Sequence, residues 1–213
     1  MAAPRTSPQI VAIAGGSGSG KTTLARAVAD LLGDRCAVLE HDAYYRCLGH
    51  LPAAQRGLAN FDHPDSLDNE LLAAHLQQLR RGRPVLLPRY DFATHMRLAE
   101  GVPVAPRPVI VVEGILVLSL PRLQRQFDLR VFVDAPEALR YRRRRDRDVV
   151  ERGRTEVSVR QQWQASVRPM HERFVAAARD RCDLLLAGTG DVAGGAGRIV
   201  AALAGRTAAA GAG

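Results

Sequence analysis

A chain of 213 residues, 46% apolar and 24% charged, has room for one α/β domain with a full core and little besides. No run of about 18 apolar residues occurs and the stretch Met1 to Gln9 is polar with two prolines, so neither a membrane span nor a secretory signal is expected. The widely spaced Cys36, Cys47 and Cys182 match no disulfide framework or metal knuckle and point to reduced thiols in the cytoplasm. The net charge of +8 suits either a nucleic acid or a small polyanion, and the arginine-rich segment 140–154 has to decide between them.

The first predicted element is a strand, Ile10-Val11-Ala12-Ile13-Ala14. It runs into Gly15-Gly16-Ser17-Gly18-Ser19-Gly20-Lys21-Thr22, and a helix begins at Leu24-Ala25-Arg26. Strand, glycine turn, helix is the context in which G-x-x-x-x-G-K-S/T binds phosphate. Glycines let successive N–H groups converge on phosphate oxygens at the positive end of a helix. Lys21 is expected to reach the β- and γ-phosphates and the Thr22 hydroxyl to coordinate Mg²⁺, with Thr23 beside them. A nucleoside triphosphate, ATP or GTP, is the expected ligand.

After the first helix ends near Gly33, Cys36 to Glu40 reads as a buried strand that delivers Asp42 at its carboxyl end, where open α/β sheets gather ligands. Residues 43–65 read as a long functional loop carrying Tyr44-Tyr45-Arg46 and Asn60-Phe61-Asp62-His63-Pro64. A helix from Ser66 or Asp68 to Arg81-Gly82 follows, with leucines at helical spacing. Prolines at 84, 88, 103 and 106 around short β-like runs predict a small inserted β-ribbon over 83–107.

Val109-Ile110-Val111-Val112-Glu113 is the most apolar strand candidate and is expected at the centre of the sheet. Leu129 to Asp134 reads as a fourth strand, and Pro136 starts an arginine-rich helix reaching Arg152-Gly153-Arg154. A helix over about 156–179, a fifth strand at Asp183-Leu184-Leu185-Leu186 and a last helix over about 191–204 complete the pattern. The Ala/Gly-rich tail 205–213 is expected to fray. The alternation implies a single domain over 1–213, with a five-stranded parallel sheet between helices: the three-layer P-loop NTPase fold.

Asp42 and Glu113 both end strands near the phosphate loop. An aromatic-rich loop follows Asp42 directly, which suits it to act as base toward an acceptor hydroxyl. Glu113, ending the most apolar strand, suits Mg²⁺. In the arginine-rich helix, Arg140, Arg144 and Arg147 share a face, with Arg143 beside them. The interspersed Asp146, Asp148 and Glu151 would spoil a nucleic-acid stripe but support pairing within the helix. Region 136–165 is therefore read as a lid that closes over the triphosphate and supplies transition-state charge. Phe61, Asp62, Tyr90, Phe92 and His95 together suit a flat ring stacked between aromatics, with polar groups reading its hydroxyls and edge.

These residues carry a resemblance to the uridine–cytidine kinase family from the P-loop to about residue 187. It rests on the P-loop, Asp42-Ala43-Tyr44-Tyr45, Asn60 to Pro64, Pro88 to Arg97, and Glu113-Gly114-Ile115-Leu116. It continues through Arg143-Arg144, Arg147-Asp148, Glu151 to Arg154, and Val167-Arg168-Pro169-Met170. The resemblance implies transfer of the ATP γ-phosphoryl to the 5′-hydroxyl of uridine or cytidine, with Asp42 as base. It implies that Asp62 and Arg144 fix the ribose and that Tyr90 and His95 read the pyrimidine. Phe92 would pack on the ring, and Arg154 and Gln162 would lie around the nucleoside. Tyr45, Phe61 and Arg97 belong to the same expected acceptor set, and Arg147 and Arg152 match lid arginines near the phosphates. Trp163 stands where a tyrosine is more usual.

The resemblance also implies a homo-oligomer, commonly a tetramer; the interspersed acids and the absence of a long apolar run lead to no nucleic-acid or membrane partner being expected. A neutral imidazole offers one donor and one acceptor, so His95 is expected to serve both uridine and cytidine. Two other readings compete. A phosphoribulokinase-like enzyme would need extra basic residues in 43–65 and 83–107 for a second phosphate, where this chain has aromatics. An RNA-binding regulator would use the basic helix. A GTPase fits poorly, since no Asn-Lys-x-Asp guanine reader occurs.

Overall fold

The computed structural model describes residues 7–210. Strand β1 (Gln9–Ala14) leads into helix α1 (Lys21–Leu32), and β2 (Cys36–Glu40) follows. Two short helical pieces, α2 (Ala53–Arg56) and a 3₁₀ turn at Pro64–Ser66, interrupt the segment read as irregular over 43–65. Helix α3 (Asn69–Arg80) starts where the Asp68 side chain accepts a hydrogen bond from the Leu71 N–H.

Strands β3 (Val85–Leu87), β4 (Tyr90–Asp91), β5 (Met96–Arg97) and β6 (Val102–Val104) form two antiparallel pairs, β3 with β6 and β4 with β5. They are the inserted ribbon. Then come β7 (Val109–Glu113), the short α4 (Pro121–Gln124), β8 (Leu129–Asp134) and α5 (Glu137–Arg152).

The helix expected over 156–179 is built from unlike pieces. It comprises α6 (Glu156–Gln162), a π turn at Trp163–Val167, α7 (Arg168–Met170), a second π turn at His171–Val175, and a 3₁₀ stretch to Arg181. Strand β9 (Leu184–Ala187) and helix α8 (Val192–Ala210) close the chain. Helix α8 runs six residues beyond the end expected at 204, through alanines that favour helix. Of the tail expected to fray, residues 211–213 lie outside the described residues.

The sheet is parallel throughout, in the order β2-β7-β1-β8-β9. Strand β7 is interior, but the middle place belongs to β1, which pairs with β7 on one side and β8 on the other. Side chains alternate across a strand, so each β1 residue picks a layer. Ile10, Ala12 and Ala14 pack into the layer that holds Leu72, Leu76 and Leu79 of α3. Val11 and Ile13 face the opposite layer, with Leu24 and Val28 of α1 and Ile199 and Leu203 of α8. Both layers are buried apolar cores. The parallel strands therefore point their carboxyl ends at one edge, where the phosphate loop, Asp42 and Glu113 gather.

Candidate active site

The glycine turn after β1 bends as the motif requires. Gly18 and Gly20 have φ of +77° and +98°, in the left-handed region that glycine occupies without strain. Helix α5 lies against the turn. The Arg143 guanidinium donates to the carbonyls of Gly18 (3.3 Å) and Gly188 (3.0 Å), and Arg144 donates to Ser17 Oγ at 3.0 Å. A cleft of about 520 Å³ opens between the turn, α5 and the loop after β9, lined by Lys21, Thr22, Thr23, Arg143, Arg147 and Asp191. Its far wall, around Gly188 to Asp191, was not predicted as part of the site. The signal for it was present: a strand end followed by glycines at the same edge of the sheet.

Thr22 lines this cleft and is bonded to Glu113 at the end of β7. The Thr22 hydroxyl donates to Glu113 Oε1 at 3.0 Å, and Glu113 Oε2 is buried without a partner among the described residues. Burial pushes the Glu113 carboxyl above its usual range, against the pull of the nearby Lys21 ammonium. A buried carboxylate oxygen with no partner next to a threonine hydroxyl is a donor set that fits a hard divalent cation such as Mg²⁺.

Asp42 sits in the 3₁₀ turn His41–Tyr44 that caps β2. Its charge is felt by Glu113, by Asp62 and by Tyr45, so it lies within electrostatic reach of groups at the phosphate loop and at a second compartment. That turn is anchored by the fully buried His41, whose Nε2 meets Asn69 Oδ1 at 3.0 Å.

The second compartment is aromatic. Tyr45 packs on Phe61 (5.4 Å between ring centres) and Tyr90 (5.3 Å), Tyr90 packs on Phe92 (5.2 Å), and His95 stacks on Phe61 at 4.7 Å. The Tyr90 hydroxyl and His95 Nδ1 are buried without partners among the described residues. Burial raises the Tyr90 hydroxyl to about 12 and lowers the His95 imidazole, so both stay neutral near pH 7. His95 ends the β4–β5 turn at φ +56°, rare for a residue with a side chain and found where surroundings impose it. A ring entering between Phe61 and His95 needs roughly 7 Å, two carbon contact distances, so those two faces have to separate to admit one.

The arginines divide between the compartments. Arg147 lines the phosphate cleft. Arg152 lies over the Phe92 ring at 5.5 Å and within reach of the Asp42 charge, on the aromatic side. Arg144 Nη2 donates to Gln162 Oε1 at 2.8 Å, and Arg154 donates to the same oxygen. Arg97 is committed to scaffolding: it donates to the carbonyls of Tyr45 (2.8 Å) and Tyr44 (2.9 Å) and pairs with Asp68. Trp163 is buried against Tyr141 and Arg140. Arg140 is itself buried, so the face it was expected to share with Arg147 is not one open surface.

Two residues in the interior of this site were not singled out as site residues. Asp148 is fully buried and lies within 4 Å of Arg144, Arg147, Arg152 and Arg154. Its spacing of four from Arg144 and Arg152 was a readable signal. Ser166 donates to Asp62 Oδ2 at 3.0 Å; it immediately precedes the Val167 to Met170 segment but was not itself singled out.

The profile of the Phosphoribulokinase / Uridine kinase family matches residues 10–193, from β1 to the start of α8. The chain belongs to that family. It is a phosphotransferase. A protein named uridine kinase from Chloroflexus aurantiacus is 50% identical over 186 residues, covering 87% of this chain and 89% of its own length. Another so named, from Geobacillus kaustophilus, is 46% identical over 180 residues, covering 84% and 85%. Among solved structures, phosphoribulokinase from Rhodobacter spheroides superposes with a TM-score of 0.60 at 14% identity, covering 85% of this chain and 70% of that one, a likeness of fold. Among the described residues, no helix is long and apolar enough to cross a membrane.

Proposed function

We propose that this kinase transfers the γ-phosphoryl group of ATP or GTP to the 5′-hydroxyl of uridine and cytidine. The observation that carries the reading is Asp42 at the sheet edge, its charge felt both by Glu113, which is bonded to Thr22 of the phosphate cleft, and by Asp62 and Tyr45 beside an aromatic cage with two polar atoms unpaired among the described residues. The relatives named uridine kinase support uridine as the acceptor.

The N–H groups of Gly16 to Thr22, together with Lys21, hold the β- and γ-phosphates in this reading. Thr22 and Glu113 would hold Mg²⁺, which when bound neutralises charge shared by the β- and γ-phosphoryl oxygens. Asp42 accepts the proton of the acceptor hydroxyl as that oxygen attacks phosphorus in line with the leaving diphosphate. Asp62 and Arg144 orient the ribose, with Arg154 and Gln162 beside them. Tyr90 and His95 read the pyrimidine edge between Tyr45, Phe61 and Phe92. Arg147 at the cleft, joined by Arg152 once it leaves its place over Phe92, closes over the phosphates as part of a lid over the segment 136–165 and stabilises charge in the transition state; comparable arginines are worth about 10³–10⁵ in rate.

A phosphoribulokinase-like acceptor carries a phosphate of its own and would ask for cations where this chain has Tyr45, Phe61, Tyr90 and Phe92. An RNA-binding role would ask for free arginines on α5, several of which are instead tied to Asp148, Ser17 and Gly18. The reaction is placed in the cytoplasm, and a homo-oligomer is expected.

A coupled ADP-release assay with Mg²⁺ and ATP, run with uridine, cytidine, adenosine and ribulose 5-phosphate, tests the acceptor. Turnover is expected on both pyrimidine nucleosides alone, and turnover confined to the sugar phosphate would overturn the reading. The neutral His95 imidazole presents one donor and one acceptor, so a His95→Tyr variant is expected to separate uridine from cytidine by about tenfold or more in kcat/KM. Equal activity of that variant on both would remove His95 from base selection.

A further inference from the structure

We propose that Ser166 is a positioning residue for the acceptor, holding the Asp62 carboxylate ionised and aimed at the ribose through the hydrogen bond from its hydroxyl. The inference rests on the acceptor reading above and concerns a residue that no motif marks.

The argument begins with backbone. Helix α6 passes at Trp163 into a π turn, in which the Arg168 N–H reaches back five residues to the Trp163 carbonyl. Such widened turns admit an extra residue and recur at functional sites. Here the turn buries both Trp163 and Val167 against the core and leaves Ser166 between them on the side of Asp62. Ser166 Oγ is 3.0 Å from Asp62 Oδ2 and 3.3 Å from the Gln162 carbonyl one turn back. A hydroxyl has one proton to give. The carboxylate is the stronger acceptor and the closer one, so the proton belongs to Asp62.

Asp62 needs that bond. It is 6% exposed, and among the described residues Ser166 is the one side chain hydrogen-bonded to its carboxylate. The groups facing it are Arg144 and Asp148 from α5, Asp42 from the turn after β2, and the neutral Tyr45. His171, from the second π turn, lines a small cavity together with Asp62, Ser17 and Val167 and is kept neutral by burial. Burial and the two aspartates push the Asp62 carboxyl up, while Arg144 and the Ser166 hydroxyl pull it down. A protonated Asp62 would accept one hydrogen bond fewer and would lose its attraction for Arg144. Ser166 therefore acts on the acceptor through Asp62, with no need to touch the substrate.

Two variants and two readouts test this. In Ser166→Ala the KM for uridine is expected to rise about tenfold, the worth of one hydrogen bond to a charged group, with the KM for ATP within twofold of wild type. The acid limb of kcat/KM for uridine should move to higher pH, because the lost bond favoured the charged form. Ser166→Thr should restore both. Independently of any turnover, ¹³C-carboxyl NMR of the ligand-free protein, with the Asp62 signal assigned through Asp62→Asn, should show Asp62 titrating at higher pH in Ser166→Ala.

The proposal is overturned if the Asp62 titration is the same in wild type and Ser166→Ala. It is equally overturned if uridine and ATP KM rise together, or if a folded Ser166→Thr behaves like Ser166→Ala. Absence of uridine turnover in the wild type would refute the acceptor reading instead, and the NMR titration would still decide whether Ser166 controls Asp62.

Discussion

In the proposed role, Glu113 would serve the site at the expense of the fold. Its carboxylate is buried, one oxygen has no partner among the described residues, and its pKa is raised by burial. A carboxyl raised in the folded state favours folding at pH values below its unfolded pKa, and that advantage is lost as pH rises through its folded pKa. At neutral pH the ionised Glu113 is therefore a burden in the ligand-free protein. Glu113→Gln is expected to raise Tm by about 2–4 °C at pH 7, the shift that roughly 1 kcal/mol gives in a domain of this size. The gain should vanish near pH 3–4, where the wild-type carboxyl is protonated in both states. Addition of Mg²⁺ with ATP should stabilise the wild type and not the variant. Differential scanning calorimetry reads all three, and a variant less stable than wild type at pH 7 would contradict this account of Glu113.

At the scale of elements, the phosphate loop and α5 behave as one piece. A Cβ on Gly18 would lie 2.3 Å from the Arg140 carbonyl oxygen, whereas one on Gly20 would meet nothing nearer than 3.7 Å. Both residues have positive φ, which alone costs an alanine about 1–2 kcal/mol. Gly18→Ala must also push the backbone of α5 away, so it should lose about 3 kcal/mol or more in urea denaturation and weaken ATP binding. Gly20→Ala should lose roughly 1–2 kcal/mol. Equal losses would mean that α5 moves freely from the loop.

Much of this layer was legible. The alternation of Ile10, Ala12 and Ala14 with Val11 and Ile13 announces helices on both faces, and the glycine motif between strand and helix announces phosphate. The π turns were not legible, because Val159, Trp163 and Val167 recur every four residues as they would on a plain α-helix. The pairing of Asp148 was legible but its burial was not: a carboxylate among arginines reads as ordinary pairing along a helix surface until burial is known. The aromatic residues were found, but their contact with one another in the absence of a ring depends on side-chain packing that spacing does not encode.

Across the whole molecule, the same crowding at the sheet edge sets the response to acid. His41 is fully buried behind Asp42, and burial lowers it to about 4 from an ordinary 6.5. A histidine depressed in the fold is neutral there while the unfolded chain takes up a proton, so stability is lost as pH falls from 6.5 toward 4. The loss from His41 alone is about 3 kcal/mol. Urea unfolding followed from pH 7 to pH 4 should show it, and His41→Gln should flatten the curve; an unchanged slope would mean that His41 does not titrate on unfolding.

The positive charge that dominates the composition also gains a place at this scale. On α5, Arg143, Arg144 and Arg147 turn toward the phosphate loop and Asp148. That is the arrangement of a site for a small polyanion.

The central claim is that Asp42 carries the proton between two compartments that bind separately. Single-turnover transfer from γ-³²P-ATP to uridine, measured at saturation of both in wild type and Asp42→Asn beside equilibrium binding of each ligand, tests it most directly. The account predicts transfer slower by about 10²–10⁴ with ATP affinity retained and uridine affinity weakened less than tenfold. Transfer at the wild-type rate in Asp42→Asn, or a loss explained wholly by failure to bind uridine, would contradict it.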